Sequence, residues 1–304
     1  MNNLVLLKYC SQNPEKFLDQ TYMFVEKDTN LEKYAQTTKK VKNLLITIQQ
    51  IKDKKSSDKL LEEMFVELHK IMKKYANYSE FGCFVNACDS SSYEIEYDVN
   101  LLKKITFLYL DKRDLNEVVP SEWIQAVIDK GSSRRKGAAG EKKLMSILKE
   151  KNYTSAKTMV EFNKHKKTFA KCAGKKGDFS NAGLKKHFSE VIGKTTQNKK
   201  LDLIIKKGDD VYFLEAKHMK ISGGEQNKQI LELIELLRNK PKKENTHYVG
   251  FLDGIYFNKL FGSEQAANKE ESNKINQQSF DIRNSLKKIK QNYFMNTAGF
   301  KKLF

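Results

Sequence analysis

Two carboxylates and an amine, Asp202, Glu215 and Lys217, are spaced so that they can meet. They fall in the segment Lys200-Leu-Asp-Leu-Ile-Ile-Lys-Lys-Gly-Asp-Asp-Val-Tyr-Phe-Leu-Glu-Ala-Lys-His218. Leu201 to Ile205 is a short apolar run broken by Asp202, and Val211 to Lys217 is a second, with Gly208-Asp209-Asp210 between them. That pattern predicts a β-hairpin. Side chains alternate along a strand, so Glu215 and Lys217 share a face, and the hairpin brings Asp202 beside them. Charge on an otherwise apolar sheet face is costly unless something binds it. The chemistry that suits this trio is metal-assisted phosphodiester hydrolysis. Paired carboxylates suit Mg²⁺, a hard cation that takes oxygen ligands and polarises a scissile phosphate. The lysine would orient or deprotonate water, or neutralise charge developing on the phosphate. The competing interpretation is an exposed hairpin with a surface ion pair.

The D-x12-E-x-K spacing resembles the PD-(D/E)xK nuclease core, and the whole chain resembles a type II restriction endonuclease. The resemblance implies an α/β (α+β) fold with a mixed central sheet flanked by helices. It implies Asp202 and Glu215 as metal-binding carboxylates, Lys217 as the catalytic lysine, Mg²⁺ as cofactor, and 5′-phosphate and 3′-hydroxyl products. Leu201 stands where the family usually has proline. Double-stranded DNA is the implied partner, and a homodimer matches a palindromic site. A cognate DNA methyltransferase is expected in the same system. Two alternatives stay open: a repair or structure-specific nuclease of the same fold, such as a junction resolvase, and a non-catalytic basic DNA- or RNA-binding protein.

The trio needs elements to position it. Upstream, Gly140 to Lys149 reads as an amphipathic helix, and Leu144 and Leu148 place Glu141 on its apolar stripe. By the resemblance Glu141 enters the active site; acidic residues also favour a helix's first turn without any such role. Downstream, Ser222-Gly-Gly-Glu225 has the form of a capping box, opening a helix through Gln226, Ile230, Leu233, Ile234 and Leu237 that ends before Pro241. Gln226 either holds water or phosphate behind the catalytic strand or is an exposed helix-start glutamine. Thr246 to Phe257 contains a strand-like run broken by Asp253-Gly254. Helix, strand, strand, helix, strand is the order that an α/β core with a mixed sheet requires.

The net charge of +18 suits a polyanionic partner, although lysine-rich genomes produce such totals without one. Its distribution says more. Asn163 to Lys200 is Gly/Lys-rich, includes Lys175, Lys176, Lys185 and Lys186, and reads as a basic insertion that grips DNA. Arg134, Arg135 and Lys136 form a second basic turn able to contact phosphate or guanine. Solvated loop charge is the alternative for both.

The expected organisation is a mainly helical region over residues 1–130, serving DNA recognition or dimerisation, and a nuclease core over 131–304 with the insertion at 163–200. Asp58 to Tyr75, Leu31 to Lys52 and Val99 to Leu110 carry helical stripes, and Pro120-Ser-Glu-Trp123 opens another helix. Ser263 to Gln291 is polar and reads as a peripheral helix or mobile segment. Cys10, Cys83, Cys88 and Cys172 lack zinc-site spacing. Few cysteines, no signal peptide and no bilayer-length apolar run point to a cytoplasmic, reduced protein with no membrane partner. His218 is expected to point away from the face that carries Lys217.

Overall fold

The computed structural model describes all residues except 55–56, 73–74, 89–91, 116–120, 131–132, 173–175, 189–200, 221–223 and 263–268; within its helices the side chains of 92–94, 122, 133–138, 224–226 and 271 are also left undescribed. Two compact units result. One combines Met1–Met23 with Arg134–Phe304, and the other is Phe24–Ser133. The first 23 residues, read from sequence as part of the N-terminal region, therefore pack with the C-terminal unit. Their helix α1 (Asn3–Gln12) buries Leu6, Leu7 and Cys10, and Asn3 Nδ2 donates to the carbonyls of Leu286 and Asn292, each at 2.9 Å.

The helical unit holds α2 (Leu31–Asp53), α3 (Asp58–Ile71), α4 (Glu80–Ala87), α5 (Ser92–Tyr97), α6 (Val99–Lys112) and α7 (Ser121–Lys130). Ser57, Ser79 and Asp98 cap three of these helices by accepting from backbone N–H groups of the first turn. Their apolar stripes meet in a core of Val41, Leu45, Ile48, Phe65, Leu68, Val85, Leu102 and Tyr109. Leu31, Tyr34, Ile124 and Ile128 form a second, smaller cluster.

The sheet-bearing unit continues with α8 (Ser133–Glu150), β1 (Thr154–Ser155), α9 (Met159–Lys164), β2 (Lys167–Lys171) and α10 (Asn181–Phe188). Then come β3 (Leu203–Lys207), β4 (Asp210–His218), α11 (Gly224–Arg238), β5 (Thr246–Asp253) and α12 (Tyr256–Phe261). Next follow α13 (Lys269–Lys288), β6 (Tyr293–Met295) and α14 (Thr297–Leu303). The six strands form one mixed sheet in the order β1-β2-β3-β4-β5-β6. β2, β3 and β4 are an antiparallel meander, whereas β1 joins β2, β5 joins β4 and β6 joins β5 in parallel. The β3–β4 turn is closed by the pair Lys207 and Asp210, with Gly208 at φ +64°, a left-handed conformation that glycine adopts without strain. The parallel step from β4 to β5 needs a crossover, and α11 supplies it.

Alternation sorts the sheet's side chains into two cores. Leu203, Ile205, Tyr212, Leu214 and Phe251 pack with Leu144 and Leu148 of α8 and Phe300 of α14. Ile204, Phe213 and Tyr248, from the other face, pack with Phe162, Leu184 and Leu236. Two expectations are refined here. The 163–200 stretch is not simply an inserted loop: Lys167–Lys171 forms β2, a full ladder partner of β3, with Thr168, Phe169 and Ala170 buried. The polar 263–291 segment, read as a peripheral helix or a mobile segment, contains the helix α13, and buried Ile275, Ile282 and Leu286 tie that helix to the core. Among the described residues no helix is long and apolar enough to cross a membrane.

Candidate active site on the central hairpin

Leu203 pairs with Leu214, and the ladder runs one residue beyond β3. Asp202 N–H donates to Leu214 O at 3.0 Å, and Asp202 O accepts from Cys172 N–H at 3.0 Å. That register sets Asp202 across from Glu215 on the face that also carries Lys217. Ala216 N–H donates to Asp202 Oδ2 at 2.7 Å, which fixes the carboxylate against β4. Lys217 Nζ donates to Glu215 Oε1 at 2.6 Å and lies 3.2 Å from Glu232 Oε2 of α11. Only 15% of the Lys217 side chain and 7% of the Glu215 side chain are exposed. The trio read from sequence is thus assembled on one sheet face, largely removed from water.

Burial, and then the negative charge of Glu215, push the Asp202 carboxyl up to about 7, against the pull of the Ala216 N–H and Lys217; Glu141 pushes in the same direction. Glu141, on α8, is therefore within electrostatic reach of the hairpin, and its Oε2 is ion-paired with Lys171 at the end of β2. Cys172, one residue on, shares the face of Asp202. Burial, then Asp202 and Glu215, push its thiol up to about 12, which favours the neutral form.

The other sequence candidates lie apart from this cluster or outside the described residues. Lys176, Lys185 and Lys186 are exposed, the last two on the short helix α10. Lys175 lies outside the described residues, as do the side chains of Arg134, Arg135, Lys136 and Gln226. The sequence reading missed Glu232 and Lys171. Glu232 looks like any surface glutamate of an amphipathic helix, and Lys171 is one lysine among many in the basic 163–200 stretch.

A second charged cluster occupies the opposite face at the same end of β4 and β5. His218 pairs in register with Asp253, and its ring stacks on Tyr22 with centroids 3.7 Å apart. Lys143 Nζ donates to Asp19 Oδ2 at 2.7 Å, Asp253 Oδ2 at 2.9 Å and Thr297 Oγ1 at 2.9 Å. Tyr22 OH makes a short hydrogen bond to Asp253 Oδ2, and Gly254 N–H donates to Asp253 Oδ1 at 2.7 Å. Gly254 sits at φ +89°, where an added Cβ would lie 2.4 Å from Met219 O, so glycine is required here. Thr297 N–H donates to Glu15 Oε1 at 2.6 Å. Burial, then Asp253, push Glu15 up to about 7. Asp19 is held low despite its burial by hydrogen bonds from Lys143 and the Thr21 N–H.

Glu15, Asp19 and Asp253 bring carboxylate oxygens within 4.8 Å of one another, close enough to hold a metal ion. A cavity of about 550 Å³ borders this cluster, lined in part by Glu15, Asp19, Lys143 and Thr297. The position between Asp19 and Asp253 is, however, already filled by the Lys143 ammonium, and the carboxylates are met by fixed protein donors. That arrangement is an internal ion network. The hairpin acids Asp202 and Glu215, which face each other across the ladder with Lys217 beside them, are the better candidate site. No protein-family model matches the chain, and no curated protein matches it.

Proposed function

We propose that this chain is a Mg²⁺-dependent endodeoxyribonuclease of the PD-(D/E)xK type, most simply a type II restriction enzyme acting as a homodimer on a short double-stranded site. The observation that carries the reading is the pairing of half-buried Asp202 with buried Glu215 across the β3–β4 hairpin, with Lys217 on the same face. The mixed sheet, with α8 before the hairpin and α11 crossing from β4 to β5, supports the reading.

Asp202 and Glu215 fit the implied ion: both offer hard oxygen donors, and burial and then the charge of Glu215 push the Asp202 carboxyl up, a conflict that a divalent cation relieves. When bound, Mg²⁺ would polarise the phosphodiester and offset charge on it. The protein's own groups supply the rest. Lys217 holds a positive charge beside the two carboxylates, where it can orient water or stabilise negative charge growing on the phosphate. Glu141 adds a third carboxylate from α8, tied to Lys171 until a substrate phosphate competes for that lysine. Lys176, Lys185 and Lys186 offer exposed charge for the DNA backbone, a contact that positions without specifying sequence.

The test is digestion of unmethylated phage DNA with Mg²⁺ or with EDTA. Discrete Mg²⁺-dependent bands support a site-specific enzyme, and a smear points to a non-specific or structure-directed nuclease of the same fold. DNA left intact, whether methylated, unmethylated or branched, sinks the nuclease reading in favour of a binding protein.

A further inference from the structure

Lys217 is shared between two carboxylates that come from different elements. Glu215, two residues away on β4, lies 2.6 Å from Nζ, and Glu232 of α11 lies 3.2 Å from it. Glu215 has a second duty in the nuclease reading, because it also faces Asp202. A carboxylate that turns toward a cation gives up part of its hold on a neighbouring ammonium. Glu232 approaches from the helix instead, and its backbone is independent of the hairpin. The helix is itself immobilised by buried Ile230, Leu233, Ile234 and Leu237, so residue 232 cannot drift from the sheet without unpacking that core. With 29% of its side chain exposed, Glu232 sits at the rim of the cluster, covering the lysine from the solvent side.

We infer that Glu232 is a positioning residue for Lys217: it anchors the ammonium from α11 so that the lysine stays over the hairpin while Glu215 is engaged with a cation. The inference rests on the nuclease reading for its catalytic consequence, but the clamp itself is a property of the unliganded chain. It also gives the crossover helix a role beyond linking two parallel strands, since it delivers the outer half of the clamp. Such indirect partners of an active-site group typically change activity by about 10–100-fold when removed.

The test compares wild type, Glu232→Gln, Glu232→Asp, Lys217→Ala and the Glu232→Gln/Lys217→Ala pair in single-turnover cleavage at saturating Mg²⁺. Glu232→Gln should cut about 10–100-fold more slowly. Its DNA affinity should stay within about twofold of wild type, since positioning acts on the chemical step. Glu232→Asp should recover much of the rate. In the Lys217→Ala background the Glu232→Gln change should cost less than about twofold, because residues acting as one unit are not additive. A wild-type rate for Glu232→Gln, or a full effect in the absence of Lys217, overturns the inference.

A second readout needs neither metal nor DNA: the ¹⁵N resonance of the Lys217 ammonium, assigned by its loss in Lys217→Arg. It should shift and broaden in Glu232→Gln and persist in Glu232→Asp. An unchanged resonance overturns the clamp whether or not the protein cuts DNA. Failure of wild type to cleave strikes the nuclease reading alone, and the resonance still decides the clamp.

Discussion

The two charged clusters at the C-terminal end of β4 and β5 lie on opposite faces of the same strands, yet their carboxylates are treated differently. On the α8 face, Lys143 reaches Asp19, Asp253 and Thr297, while Tyr22, Gly254 and Thr297 donate to the remaining acceptors. On the hairpin face, the described residues give the Asp202 carboxylate one hydrogen bond, from Ala216 N–H, and set it against Glu215. Both arrangements bury acids. In both, a carboxyl is pushed up to about 7 by burial and then by a neighbouring acid, Asp253 for Glu15 and Glu215 for Asp202; the first seats the Lys143 ammonium between Asp19 and Asp253, whereas the second holds Lys217 beside Glu215. The place of the ammonium, between two acids or beside the pair, rather than the number of acids gathered, distinguishes the two clusters.

That contrast can be broken by experiment. Asp202→Asn or Lys217→Ala should lower Mg²⁺-dependent cleavage by at least about 10³-fold in a gel assay while leaving DNA affinity nearly intact. Cleavage that survives either change would remove the hairpin from the chemistry. Lys143→Met should leave Asp19 and Asp253 uncompensated and destabilise the fold by about 3–5 kcal/mol in urea unfolding; a small effect would show that the opposite face is not an ion network. Mg²⁺ at 100 times its Kd should stabilise wild type by about 2.7 kcal/mol in thermal unfolding. Asp202→Asn should abolish that gain and Asp19→Asn should keep it, and the reverse pattern would move the metal to the α8 face.

The pH dependence sharpens the same point. Burial, and then a neighbouring carboxylate, push the Asp202 and Glu15 carboxyls up to about 7 in the folded protein, whereas in the unfolded chain such carboxyls ionise near their ordinary values. Between those limits the folded state binds more protons, so metal-free stability should fall as pH rises from about 4 to about 7 and level off above. Asp202→Asn should flatten part of that decline, an effect of the order of 2 kcal/mol at pH 8. A slope unchanged by the substitution would mean that Asp202 ionises normally. Tyr22→Phe, which deletes one donor to Asp253, should cost the least, about 1–2 kcal/mol.

Much of the hairpin was legible because its information is local. The two apolar runs, the glycine between them and the two-residue step from Glu215 to Lys217 fix register and face without reference to anything distant. Strand β2 was hidden for the opposite reason. In Lys167-Thr-Phe-Ala-Lys171 the flanking lysines read as insertion charge, and only pairing with β3 reveals that the three residues between them are buried. The Lys143 network was illegible because Glu15, Asp19, Lys143 and Asp253 come from segments with no local cue to their meeting. Asp253-Gly254 was visible as the break ending a strand, but nothing near it announces Lys143. Helix α13 was underestimated because its sparse Ile275, Ile282 and Leu286 are diluted by polar residues on the other sides of the helix.

The attachment of α1 to the far end of the chain has a kinetic consequence. Asn3 bonds to Asn292 across a separation of 289 residues, and Tyr293 OH donates to the Met1 carbonyl. Closing so long a loop costs entropy that no local contact repays, on the order of 5 kcal/mol from the logarithmic length term. Phe24–Ser133 is ordered by helix–helix packing within one continuous segment, and helical units form quickly. Folding should therefore be biphasic, with helical signal gained early and burial of Tyr293 and Phe294 late. Docking of α1 would then be the slow step that completes the wall behind the sheet.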